Sequence, residues 1–326
     1  MEDTNKKILI SGGAGFIGSH LAEKLLKDNK EVFVVDNLST GRLENIEHLK
    51  NNKNFHFIEG SVLDEDLMKE LIEKVDQVYH LAAAVGVKKI LKEPLDCLLT
   101  NVNGTEIILK EAAKRNTKVL LASSSEVYGK GDKVPFKEED DRIYGSVYNN
   151  RWIYAFSKGI DEFLGLAYWK EKNLSVIVVR FFNVIGPRQI GRYGMVVPTF
   201  VKQALKNEPI TVYGDGEQTR SFADIEDIIN ALIKLMTVKQ AEGQVLNLGA
   251  DREISINNLA EKIKELTNSS SEIVHIPYNQ AYLEGFEDLA RRVPDISKIK
   301  TMIGYEPKFS LEETINKIIK YQQKAQ

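Results

Sequence analysis

The sequence predicts an α/β chain: a doubly wound parallel sheet followed by a smaller, irregular C-terminal segment. Three observations predict it. Short, apolar, β-branched runs alternate with helical periodicity through roughly the first 180 residues, as for strands buried on both faces. The first run, Lys7-Ile8-Leu9-Ile10, ends in Ser11-Gly12-Gly13-Ala14-Gly15-Phe16-Ile17-Gly18, which opens into a helical pattern from His20 to Leu26. A second run, Val32-Phe33-Val34-Val35, closes on Asp36.

In chain order, strands are expected at 7–11, 31–36, 55–59, 76–82, 117–123 and 174–181. Helices are expected between them, at 16–28, 64–73, 99–115 and 152–172, with Asp64 as an N-cap. After about residue 183 the rhythm loosens. Gly186-Pro187, Gly191, Gly194 and Pro198 break it, and Val212-Tyr213-Gly214-Asp215-Gly216 reads as a turn. Helices recur at 196–206, 225–237, 255–266 and 310–323, with a strand at 244–248. The expected division is a dinucleotide-binding unit of residues 1–182 plus about 224–254, and a second unit of 183–223 and 255–326. No internal repeat or low-complexity tract interrupts it.

Composition narrows the class. With 326 residues, 43% hydrophobic and 28% charged, the chain can bury a large core and remain in solution. A net charge of −3 with no long basic block argues against nucleic acid or an anionic membrane as partner. A single cysteine, Cys97, excludes an internal disulfide framework, and the five histidines lack metal-ligand spacing. Without a signal-like h-region or an apolar run of about 18 residues, the cytoplasm is the expected compartment.

The glycine turn carries the first chemical signal. A strand ending in G-x-x-G-x-x-G brings bare backbone N–H groups and a helix N-terminus against a pyrophosphate, an approach that larger side chains would block. Asp36 falls about 20 residues past the glycines, where a carboxylate accepts the hydroxyls of an adenosine ribose and repels a 2′-phosphate. NAD is therefore expected rather than NADP. Tyr154-Ala155-Phe156-Ser157-Lys158 supplies the second signal: a phenol and an ammonium four residues apart, on one face of a helix. A lysine so placed is expected to lower the tyrosine pKa and make Tyr154 a general base. Third, Leu121-Ala122-Ser123-Ser124-Ser125-Glu126 ends a strand where ligands of open parallel sheets lie. Ser124 could there hold a substrate hydroxyl and Glu126 could present a carboxylate; the bland alternative is an N-cap serine and a surface glutamate.

Taken together these segments resemble the extended short-chain dehydrogenase/reductases that act on nucleotide sugars: epimerases, dehydratases and decarboxylases. The resemblance spans nearly the whole chain. It adds Asp36-Asn37-Leu38-Ser39-Thr40-Gly41, Tyr79-His80-Leu81-Ala82-Ala83, Asn101, the run from Arg180 to Arg188, and Val212-Tyr213-Gly214-Asp215-Gly216-Glu217-Gln218-Thr219-Arg220. It implies a Rossmann-type sheet and NAD held by Gly12, Gly15, Phe16, Ile17, Gly18, Asp36, Asn37, Ser39, Thr40, Gly41, Ser61, Val62, Leu81, Ala82, Ala83, Asn101, Tyr154 and Lys158. Ser61 departs from the family pattern, in which an aspartate after the third strand meets adenine. A UDP-sugar is implied against Arg151, Asn183, Arg188, Val196, Thr211, Tyr213, Arg220 and Arg292, with Asn183 and Arg220 on the diphosphate. A homodimer through helices 99–115 and 152–172 is implied as well.

The family chemistry starts with Tyr154 taking the C4 hydroxyl proton and ends in different products. Dehydratases resemble Thr-Asp-Glu at the strand end; the middle residue here is Ser125, too weak an acid for that role. Ser125-Glu126, Arg151-Trp152-Ile153-Tyr154 and the segment from Gly285 to Asp295 resemble UDP-glucuronate decarboxylases. Arg292 would then orient the substrate carboxylate and Glu126 would assist proton movement at C5. UDP-sugar 4-epimerisation is the alternative. A non-catalytic NAD(H)-binding protein is the alternative of another class, disfavoured by the presence of both Tyr154 and Lys158.

Overall fold

The computed structural model describes residues 6–324 apart from 85, 87–89, 91, 192–194, 278–279 and 281–288. Gly194 and the stretch from Gly285 to Asp288, both used above, lie outside the described residues. One parallel sheet contains β1 (Lys7–Ser11), β2 (Glu31–Asp36), β3 (Phe55–Glu59), β4 (Gln77–His80), β5 (Lys118–Ser124), β6 (Val176–Phe181) and the strand Val245–Leu248. Its seven strands run in the spatial order Val245–Leu248, β6, β5, β4, β1, β2, β3. The chain winds outward from β1 to β3 and then returns to β4 on the other side of β1. That reversal opens a crevice beyond the carboxyl ends of β1 and β4, where such sheets bind ligands.

Alternation along each strand fills both faces. Ile8 and Ile10 of β1 face Leu21 and Leu25 of α1 (Phe16–Lys27) and Ile228 and Leu232 of the helix Ile225–Thr237. Leu9, between them, faces the opposite layer, with Met68 of α2 (Glu65–Ile72) and Ile108 of α3 (Pro94–Arg115). Burying side chains of this size contributes about 1.5–3 kcal/mol each. The helix α4 (Ile153–Lys172) packs beside α3 on that second face. A third core joins the helices Val196–Leu205, Ile256–Thr267 and Leu311–Lys324 through Phe200, Leu259, Ile263 and Ile315. Among the described residues no helix is long and apolar enough to cross a membrane.

Local chemistry sets the element ends. Asp64 caps α2 by accepting from the Leu67 amide at 3.0 Å, as expected. The helix expected from residue 99 begins at Pro94 instead; proline at the first helical turn is pre-set for helical φ and lacks only an amide that would have no helical partner. Val212 and Tyr213, read as part of a turn, belong to the strand Ile210–Tyr213, parallel to Ile273–Ile276. Ile210 and Val212 drive it by inserting into the third core. The turn proper is confined to Gly214-Asp215-Gly216, whose glycines take φ of 75° and 76°.

Candidate active site

The glycine turn is held by backbone contacts. Gly12 adopts φ +72°, donates to the Val35 carbonyl at 2.8 Å, and lies so close to β4 that a Cβ would sit 2.8 Å from the Ala82 Cα. Gly18 presses on Gly12 and Gly13 in the same way. At Gly15 a Cβ would meet only the Gly12 carbonyl, at 3.1 Å, so the side of the turn above it is open. Gly15 is also the N-cap of α1, with no capping side chain and no acidic residue in the first turn, where Phe16 and Ile17 stand. Unpaired amides facing an open crevice fit a dinucleotide pyrophosphate.

Asp36 sits at the carboxyl end of β2, mostly buried, and accepts from the Ala14 amide at 3.0 Å and the Leu38 amide at 2.8 Å. Burial pushes its carboxyl up, against the pull of these two amides. Gly41 is required beside it, since a Cβ there would come within 2.6 Å of the carboxylate. Asn37 folds the loop by accepting from the Ser39 amide at 3.1 Å, and Thr40 is half-buried next to Gly41. Ser61 accepts from the Leu63 amide at 3.2 Å, so the residue that departs from the family pattern is used in the turn into α2, while Val62 packs against Gly104 of α3. On the other bank, Leu81 donates to the Ser11 carbonyl at 3.1 Å and Ala82 to the Ser11 hydroxyl at 3.3 Å, which seats Leu81-Ala82-Ala83 across the crevice from the glycines.

Tyr154 and Lys158 stand on the crevice side of α4. Asn101 of α3 fixes this part of the helix: its amide donates to the Ser157 hydroxyl at 2.9 Å, and Ser157 donates to the Tyr154 carbonyl at 2.9 Å. The other end of Asn101 accepts from the Ala84 amide at 2.7 Å, tying β4 to α4. Lys158 is buried and donates to Asp161 at 3.0 Å. The expectation of a lowered tyrosine pKa is corrected here. Burial first, and then the charges of Glu126, Cys97 and Asp161, push the phenol above its ordinary value, with only a hydrogen bond to Ser124 pulling it down. The Lys158 ammonium is paired with Asp161.

Ser125 is buried in the short 3-10 turn Ser125–Tyr128, and Ser124 caps that turn by accepting from the Glu126 amide at 3.3 Å. Glu126 is no surface glutamate. Its Oε1 accepts from Arg292 at 2.6 Å and its Oε2 pairs with Arg151 at 2.6 Å. Burial opposes its ionisation, but the two guanidinium groups prevail and hold the carboxyl at about 2. Arg292 is 8% exposed, and its Nε has no partner among the described residues. Its neighbour Arg291 is exposed and paired with Glu253 (Nε to Oε2, 3.0 Å), so only one of the two adjacent arginines enters the site. The strand Arg291–Arg292 runs parallel to Thr219–Ser221, which places Arg220 beside Arg292.

Other expected substrate residues stand apart. Asn183, at φ +33°, spends its amide on the Ser221 carbonyl at 2.9 Å. Thr211 bonds Gln203 at 2.9 Å, Val196 opens the helix Val196–Leu205, and Tyr213 is exposed. Arg188 does not join the others: it is bound to Glu23 of α1 and, at 3.3 Å, to the Ser19 hydroxyl. Sequence reasoning missed Asp161. Its signal was available, three residues past Lys158 and hence on the same helical face.

A model of the family described as GDP-mannose 4,6 dehydratase matches residues 9–318. The chain belongs to this family, within the NAD-dependent extended short-chain dehydrogenase/reductases. Among relatives of this family, the chain is 44% identical to UDP-N-acetyl-alpha-D-glucosaminuronate decarboxylase of Bacillus cytotoxicus, with 97% of each chain covered. It is 41% identical to UDP-glucuronic acid decarboxylase 1 of Xenopus tropicalis, covering 98% of this chain and 73% of the relative. Of the solved structures, UDP-glucuronic acid 4-epimerase from Bacillus cereus in complex with UDP-glucuronic acid and NAD superposes with a TM-score of 0.87 at 29% identity, covering 98% of this chain and 100% of that one. The seven-stranded sheet with its crevice at β1 and β4 is thus the Rossmann core of a dehydratase-family enzyme.

Proposed function

We propose that the protein is a NAD-dependent UDP-hexuronate decarboxylase with UDP-glucuronate as substrate. The observation that carries this is the clamp at Glu126, where the guanidinium groups of Arg151 and Arg292 meet its carboxylate in a buried site. Arg292, whose buried Nε has no hydrogen-bond partner among the described residues, suits a second carboxylate, which a uronate has and a neutral hexose lacks. The names of the relatives point the same way.

In this account the glycine turn, Asp36 and Leu81-Ala82-Ala83 hold NAD, which supplies a hydride acceptor for C4. Tyr154 takes the C4 hydroxyl proton while Ser124 holds that oxygen. With a ketone at C4 the substrate is a β-keto acid; its C5–C6 bond breaks, the electron pair remains as an enolate, and CO₂ leaves. Arg292 and Arg151 offset the enolate charge, and Glu126, held ionised between them, keeps both guanidinium groups in place; the proton assistance at C5 that the resemblance implied does not suit so acidic a carboxyl. Arg220 serves the diphosphate, with Asn183 doing so once its amide leaves the Ser221 carbonyl. Residues 183–223 and 255–326 form the unit that grips the nucleotide. Two copies pair through the exposed Phe156, Ile160 and Phe163 of α4 and Leu95 and Leu99 of α3; light scattering at the monomer mass would refute the pairing.

The test is incubation with NAD and either UDP-glucuronate or its 2-acetamido analogue, read by mass spectrometry. A UDP-pentose or UDP-ketopentose lighter by CO₂ is expected. The second reading, 4-epimerisation of a uronate, is favoured by the likeness to the UDP-glucuronic acid 4-epimerase, and a product of unchanged mass would establish it instead.

A further inference from the structure

The pair Lys158–Asp161 contains one carboxylate more than the proposed chemistry uses. Both residues are 2% exposed, and their side chains meet at 3.0 Å across one turn of α4. The second carboxylate oxygen, Oδ1, is buried and has no hydrogen-bond partner among the described residues. A buried lysine needs a counter-charge, yet a lysine that serves a tyrosine base works best with its charge unshared. Asp161 therefore acts against Tyr154 twice: it neutralises Lys158, and its own charge opposes the phenolate.

We infer that Asp161 is a positioning residue that holds the Lys158 ammonium in place and through it sets the pH range over which Tyr154 works. This rests on the reading of Tyr154 as the base. The groups facing the pair are few. From α4 come Tyr154 and Glu162; burial first pushes the Asp161 carboxyl up, Lys158 pulls it down, and the Glu162 charge adds to the upward push. From α3 come Cys97 and Thr105, whose hydroxyl favours the Asp161 carboxylate. From the turn after β5 comes Glu126. His80 of β4 is the remaining titratable neighbour; burial and, second, Lys158 lower its pKa to about 3, so it stays neutral, its ring bonded to Ser11 at 2.7 Å and Thr105 at 3.1 Å. Asp161 is the carboxylate of this group that pairs directly with Lys158. Removing that charge leaves the Lys158 ammonium unshared on the same helical face as Tyr154, which favours the phenolate.

The experiment is the pH profile of kcat/KM for UDP-glucuronate with the NAD-loaded enzyme, for the native chain, Asp161→Asn and Asp161→Glu. The acidic limb is expected to move down by about one pH unit in Asp161→Asn, so that the rate below the limb rises up to about tenfold. It is expected to return toward the native position in Asp161→Glu. Asp161→Ser, smaller and also uncharged, is the second variant should the asparagine destabilise the fold. A limb that stays in place or moves up in the folded uncharged variant overturns the inference, as does a flat loss of rate at every pH. Tyr154→Phe separates the two claims: if it retains the native rate, the base assignment fails, whereas an inactive Tyr154→Phe beside an unshifted Asp161→Asn sinks the role of Asp161 alone.

Discussion

The cofactor bank and the substrate bank of the crevice are built on different principles. The first is a backbone construction: Gly12, Gly15 and Gly18 let main chain meet main chain, and the ligand-facing groups are amides at a helix N-terminus. The second is a side-chain construction, in which Glu126, Arg151 and Arg292, from three distant segments, meet in one buried clamp. A backbone cradle binds what every member of the family shares. A clamp of charged side chains is where the members can differ, because changing one residue changes the charge offered to the sugar.

The largest effect should come from breaking the cradle. Gly12→Val forces a branched side chain to φ +72° and into the Ala82 backbone, and is expected to abolish NAD retention, measured by cofactor release after denaturation. Retention at the native level would refute the backbone account. Next, Tyr154→Phe is expected to lower turnover about a thousandfold while leaving NAD bound. Third, Arg292→Met should weaken UDP-glucuronate binding by about 2–5 kcal/mol and leave UDP-glucose binding nearly unchanged, by calorimetry. Equal losses for both sugars would mean that the clamp does not read the carboxylate.

The smallest effect is on acid stability. Glu126 has its carboxyl held at about 2 in the folded chain, against 4.5 ordinarily. Its ionised pair therefore contributes fully above about pH 4.5 and is lost as pH falls toward 2, a change of at most about 3 kcal/mol. Urea unfolding between these limits should show a shallower pH slope in Glu126→Gln than in the native chain. Identical slopes would place the charge balance elsewhere.

The two banks also differed in how far the sequence disclosed them. The turn and Asp36 lie within one strand–helix–strand unit, so spacing alone reveals them. Glu126 and Arg292 are 166 positions apart, and no periodicity joins them; only the family resemblance brought them together. The pairing of Lys158 with Asp161 shows a third case. The two share a helical face in plain view, but which group governs the tyrosine depends on burial, which the sequence does not state. Arg188 fails for the opposite reason. The family resemblance places it against the UDP-sugar, while the fold turns it back, at φ +68°, onto Glu23 of α1.

Decarboxylation at the clamp is tested most directly by following carbon-13 placed at C6 of UDP-glucuronate. With NAD-loaded protein, the label should leave the sugar and appear as CO₂ and bicarbonate in the carbon spectrum. Label that stays on the nucleotide sugar, in UDP-galacturonate or in unreacted substrate, would contradict decarboxylation at this site.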